Sequence, residues 1–151
     1  MTFMEYPEID TLVPHAAPML LVRRVLEHSP RETVCEVYTA DSVLFADRDG
    51  RVPAWVGLEY MAQCAAVHGG LAAHVAGIVP PVGMLLGTRR LELAVGWFET
   101  GQILRVAARR VHAGTQMLSF AAAIHDGRGG RVLAEARINI YLAGQQGDLN
   151  V

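Results

Sequence analysis

Residues 53–77, PAWVGLEYMAQCAAVHGGLAAHVAG, form a long and nearly unbroken apolar run with one carboxylate, Glu59. Small and apolar residues at almost every position predict a helix wrapped on most sides by other structure. Pro53 suits the first helical position, where its missing N–H removes a donor that has no partner there. Gly77 suits the end, and Pro80-Pro81 forbids continuation. Gly69-Gly70 either admits another backbone or weakens the helix locally. A carboxylate on such a helix is costly to desolvate, so Glu59 needs a reason to be there. Gln63 follows four residues later, about 6 Å along the axis on the same face, close enough to orient it.

The segments around this helix read as strands. Met19 to His28 and Glu32 to Thr39 are separated by Ser29-Pro30, and Val34, Glu36 and Tyr38 alternate with Thr33, Cys35 and Val37 at period two. Met1 to Ala17 reads as an irregular arm with a short helical turn after Pro7, and Ala40 to Val52 as an exposed loop. Past the helix come Met84 to Leu93, Gln102 to His112, Gln116 to His125 and Arg131 to Leu142. Turn signals divide them at 96–101, 113–114 and 126–130. The order β-β-α-β-β-β-β, with hairpin-length connections, predicts an α+β fold. One antiparallel sheet curls around one central helix.

Composition narrows the function. The chain of 151 residues, 52% hydrophobic and 19% charged, fits a single domain, 1–151 with an arm over 1–17, and is no disordered linker. A net charge of −2 advertises neither nucleic-acid nor membrane-surface binding. Met61 to Pro80 is too polar, with Gln63, His68 and His74, for a membrane span. Cys35 and Cys64 match no metal or redox spacing, and no leader is evident; a cytoplasmic protein is expected. No metal-ligand set or phosphate-binding glycine fingerprint occurs, so no bound cofactor is expected.

Three blocks carry a resemblance. VPHAAPMLLVRRV at 13–25 is similar to the L-P-H-x-x-P-F-L-L-V-D-R-V opening of FabZ-type enzymes, with Arg23 in place of the usual acid. VPAWVGLEYMAQ at 52–63 resembles their M-P-G-V-L-I-x-E-A-M-A-Q helix start. GMLLGTRR at 83–90 resembles a subgroup, the ApeP-type dehydratase proteins of aryl-polyene gene clusters. Together they resemble the hotdog-fold 3-hydroxyacyl-[acyl-carrier-protein] dehydratases over residues 13–142. One motif departs from the pattern. FabZ-type enzymes carry a catalytic histidine in G-H-F-P fourteen residues before the glutamate, and that position here is Phe45.

The resemblance implies a dehydratase acting on 3-hydroxyacyl thioesters held by an acyl carrier protein, in fatty-acid or polyene-type synthesis, assembled as at least a homodimer. Such dehydration needs a base at Cα, an acid for the departing hydroxyl, and donors for the thioester oxygen. Glu59 is the expected carboxyl, Gln63 its neighbour, and the Ala54 N–H at the helix start the expected oxyanion donor, with Trp55 beside it as a substrate contact. His68 lies nine residues past Glu59, about 13.5 Å along the axis and half a turn round. It and His74 read as core or interface histidines. His28, His112 and His125 read as surface residues. His15, stiffened between Pro14 and Pro18, is the expected catalytic imidazole, although its counterpart in the family is not the usual base. Arg89 is a candidate for the phosphate of a phosphopantetheine arm, against the plainer reading that Arg89-Arg90 pairs with Glu92. Trp97 and Phe98 read as turn or interface packing. Two other functions fit the same residues: a hotdog acyl thioesterase in which Glu59 activates water, and a non-catalytic partner of an active hotdog subunit.

Overall fold

The computed structural model describes residues 5–79 and 82–143, the side chains of Val82 and Ala143 excepted. Six strands form one antiparallel sheet: β1 (Arg24–His28), β2 (Glu32–Tyr38), β4 (Val82–Leu93), β6 (Ile103–Ala113), β7 (Met117–Asp126) and β8 (Val132–Ala143). Their order is β1-β2-β6-β7-β8-β4, so β1 and β4 are the edges. A pair of two-residue strands, β3 (Val52–Pro53) and β5 (Trp97–Phe98), stands apart from the main sheet. The one long helix among the described residues, α1 (Gly57–Ala76), packs against the sheet. This is the hotdog arrangement.

Alternation decides which strand side chains meet the helix. Leu104, Val106 and Ala108 of β6 point inward together with Phe120, Ala122 and Ile124 of β7. From α1 come Tyr60, Met61, Cys64, Val67 and Leu71, and burying each large side chain contributes roughly 1.5–3 kcal/mol. Gly77 ends the helix with φ at 69°, the left-handed turn that a Cβ would disfavour.

The helix start differs from expectation. Pro53 is not helical: its ψ of 137° keeps it extended, and it pairs with Trp97 in β3. A 3-10 turn over Ala54–Val56 then leads into the α-helix at Gly57. Phe98 is fully buried and stacks at 5.8 Å on Tyr60, so it is core rather than turn packing. The first strand is also shorter than its apolar sequence suggested, beginning at Arg24.

Candidate active site

Gln63 explains the shortened strand. It faces the N-terminal arm from a helix position with 1% exposure, and a buried amide must find partners. Its Nε2 donates to the Met19 carbonyl at 2.7 Å and to Glu59 Oε1 at 3.0 Å. Its Oε1 accepts the Leu21 N–H at 2.9 Å and the Val22 N–H at 3.4 Å. Both donors and both acceptor sites are used. The arm is therefore held to the helix by a side chain, where a strand would have supplied ladder bonds.

A close approach two turns further along the same face fixes the other end of the arm. A Cβ placed on Gly70 would come within 2.1 Å of the Leu12 carbonyl oxygen. Only glycine lets the arm lie so near the helix. Three residues beyond Leu12, His15 reaches Glu59: its Nε2 stands 3.8 Å from Glu59 Oε1. Both side chains are about one-third exposed, 28% and 34%. They are reachable from outside yet backed by protein. His15 Nδ1 is buried and has no hydrogen-bond partner among the described residues. Glu59, Gln63 and His15 thus form one group, built from one helix turn and one pinned arm.

The other expected site residues are placed differently. The Ala54 N–H is not free: it donates to the Gly96 carbonyl at 3.0 Å. That bond extends the β3–β5 pair, so the expectation of an unpaired oxyanion donor at Ala54 is corrected. Trp55 is exposed, and its ring meets Phe45 edge-on at 6.3 Å. Phe45, standing where FabZ-type enzymes carry histidine, therefore lies beside the helix start as an apolar partner for Trp55. Arg89 is exposed on the edge strand β4, and no hydrogen bond links it to Glu59 among the described residues. Its neighbour Arg90 makes the ion pair with Glu92.

His68 is 3% exposed. Its Nδ1 meets Thr33 Oγ1 at 2.8 Å, and the same hydroxyl meets His28 Nδ1 at 2.8 Å. Burial first, then the nearby His28 and Arg110, push its pKa down to about 4. It is a neutral core histidine, as its distance from Glu59 implied. Half-buried His28 is drawn inward by the same hydroxyl. Tyr60, one residue past Glu59, turns to the core instead. Its hydroxyl is 2.6 Å from Ser42 Oγ, and burial raises its pKa to about 12. That contact ties the 42–51 loop to the helix.

Sequence reasoning missed the double duty of Gln63 and the contact of Phe45 with Trp55. The first had a signal: a glutamine on an apolar helix has four hydrogen-bonding positions to fill, and Glu59 can fill only one. A carboxyl and an imidazole 3.8 Å apart can share two proton transfers on one substrate, which fits acid–base elimination. Among the described residues no cluster of His, Cys, Asp and Glu could hold a metal ion. No helix there is long and apolar enough to cross a membrane.

Comparison with known proteins gives the family and the fold. The model of a family described as ApeP-like, ApeP dehydratase, matches residues 7–149. No curated protein matches the chain. Among solved structures, the dehydratase heterocomplex ApeI:P from Xenorhabdus doucetiae is similar, with a TM-score of 0.88 at 29% identity over 93% of this chain and 94% of that one. Thioesterase superfamily member 2 of zebra fish aligns with a TM-score of 0.64 at 15% identity, over 85% and 87% of the two chains. A hypothetical thioesterase from Streptococcus pneumoniae TIGR4, with coenzyme A, gives 0.62 at 13% identity, over 81% and 86%. At those identities the two thioesterases share the fold alone.

Proposed function

We propose that this chain, which belongs to the ApeP-like dehydratase family, removes water from 3-hydroxyacyl thioesters presented by an acyl carrier protein. The observation that carries the reading is the placing of His15 Nε2 3.8 Å from Glu59 Oε1. Gln63 donates to that same oxygen at 3.0 Å, which fixes the carboxylate as an acceptor and orients it. Glu59 then takes the proton from Cα, and the imidazolium of His15 gives its proton to the β-hydroxyl. The C–H and C–O bonds break, the Cα–Cβ double bond forms, and water leaves. Return of the proton from Glu59 to His15 across the short gap resets the pair. A G-H-F-P histidine is not needed in this scheme.

Assembly with a second hotdog subunit is the other part of the reading. The similar structure from Xenorhabdus doucetiae is a dehydratase heterocomplex, and the edge strand β4 exposes Met84 and Leu86, at 50% and 57%. An uncovered apolar edge favours pairing with another chain. The partner completes the assembly, as a second copy or as a related subunit.

The test is an assay of the purified chain, alone and with a co-expressed second hotdog subunit, on a 3-hydroxyacyl thioester of acyl carrier protein. Enoyl product that disappears in both Glu59→Gln and His15→Ala supports the reading. Release of free thiol from a saturated acyl thioester would assign the site to hydrolysis instead. Full dehydration by the complex carrying both substitutions would make the chain a non-catalytic partner.

A further inference from the structure

The face of the sheet turned away from α1 carries an ordered pattern of charge. On β7, Ala122 and Ile124 point to the core, so Ala121 and Ala123 point outward. Strand register extends these two positions into two rows. Glu32, Arg109, Ala121, Arg137 and Arg90 are paired neighbour to neighbour from β2 to β4. Two residues along the strands, Ala107, Ala123, Glu135 and Glu92 are paired in the same way. The first row is cationic, with three guanidiniums to one carboxylate, and the second is anionic.

The alanines leave a shallow trough of about 360 Å³ between the longer side chains of both rows. Arg137 and Glu135 are exposed there and form no ion pair among the described residues, while Arg90 pairs with Glu92 on its own strand. A partner of one sign of charge is attracted by one row and repelled by the other. A second copy of the same face meets no such conflict. A two-fold axis running across the strands, midway between the rows, turns the cationic row of one copy over the anionic row of the other. Arg137 then lies over Glu135 of the second copy, Arg90 over Glu92 and Ala121 over Ala123, and each contact recurs with the roles exchanged. Arg109, beside Glu32 of its own chain, lies over the alanine at 107. No like charges are stacked, and alanine against alanine lets the sheets close at the centre. Stacked twisted sheets cross by about 30°, which keeps the central strands β7 and β8 in contact.

We infer that the outer face of the sheet binds the outer face of a second copy of this chain, with Arg137 against Glu135 and Arg90 against Glu92 around an alanine centre. The contact uses the face of β4 and leaves its edge free for the hotdog partner proposed above. Face and edge together build an assembly twice the size of the one that the edge builds alone. The catalytic reading is not needed for this contact.

The experiment is sedimentation of the full chain, alone and with a co-expressed second hotdog subunit, over a range of concentrations. Glu135→Arg and Arg137→Glu each place like charges in contact across the two-fold axis. Each should weaken self-association by about tenfold or more in Kd, so that the assembly falls to half its mass. The double variant, Glu135→Arg with Arg137→Glu, rebuilds the same pairs with their signs exchanged and should associate within about threefold of wild type. Both positions are exposed, and circular dichroism checks that each variant is folded. Rescue by the double variant separates pairing across the axis from a general loss of solubility or fold. Self-association unchanged in both single variants, or a double variant as weak as either, would overturn the inference. So would single variants that still self-associate but no longer hold the second hotdog subunit, a result that gives the face to that subunit.

Discussion

His68 belongs to α1 and His15 is set against it, and the structure treats the two in opposite ways. His68 has its Nδ1 at 2.8 Å from a buried hydroxyl, lies edge-on to Phe120, and is held neutral. His15 stands on an arm, part-exposed, with one nitrogen unpartnered among the described residues and the other 3.8 Å from a carboxylate. An imidazole whose bonding capacity is spent has little left to offer a substrate, whereas one left incomplete beside a carboxyl can still move a proton. The same contrast runs along the helix. Its first half carries the polar grip of Glu59 and Gln63, and its second half, His68 and His74 apart, is small and apolar.

The sharpest way to break this comparison is catalytic. Glu59→Gln and His15→Ala should each lower kcat for dehydration by about 10²–10⁴-fold, the usual worth of a positioned acid or base. His68→Gln, in protein shown to be folded by circular dichroism, should stay within about tenfold of wild type on the same scale. A loss at His68 as large as that at His15 would erase the distinction. Steady-state rates on one 3-hydroxyacyl substrate suffice to read it.

Next in size is the grip of the arm. Gln63→Leu removes the partners of the Leu21 and Val22 amides and of the Met19 carbonyl. Leaving buried backbone groups unpaired should cost about 3 kcal/mol in urea unfolding. Activity should fall further than stability explains, because the arm also carries His15. A variant with normal stability and normal rate would mean that the arm is held elsewhere.

The glycine pair then separates packing from helix propensity. Gly70→Ala should destabilise by about 2 kcal/mol, since the arm must retreat from a 2.1 Å contact. Gly69→Ala meets open space and should stabilise by up to about 1 kcal/mol through better helix propensity. Similar effects at both positions would mean that the contact with Leu12 does not set the two glycines apart. Thermal melts of the two single variants decide it.

These contrasts also mark what the chain disclosed before its structure. The apolar run ending at Gly77 and Pro80-Pro81, and the period-two strands between short turns, were enough for the helix, the antiparallel sheet and their order, because both signals are local and long. The pair β3–β5 escaped notice, since two residues cannot display a period. Pro53 satisfies the start of a helix and an extended strand equally well, and only the Gly96 carbonyl, arriving from another loop, decides between them. That same carbonyl occupies the Ala54 amide. At the site, Glu59 and Gln63 were legible from one helix face. The reach of His15 depended on a contact between Leu12 and Gly70, 58 residues apart in sequence, and the role of Phe45 on a side-chain contact with Trp55 that no spacing encodes.

The smallest expected effect tests the other half of the histidine comparison, the silence of His68. In the folded protein burial holds its pKa near 4, below the ordinary 6.5. As pH falls below about 6.5 the unfolded chain takes up a proton that the folded chain refuses until about pH 4. Stability must therefore decline with acidification through that window, and this group adds nothing further below it. His28, also shifted down by burial, contributes in the same direction. Between pH 6.5 and pH 5.5 the decline due to His68 should be about 1 kcal/mol, and His68→Gln should flatten it. Urea midpoints at several pH values measure the slope directly. An unchanged slope in that variant would mean that His68 titrates normally and is not the buried, neutral imidazole with which His15 is contrasted.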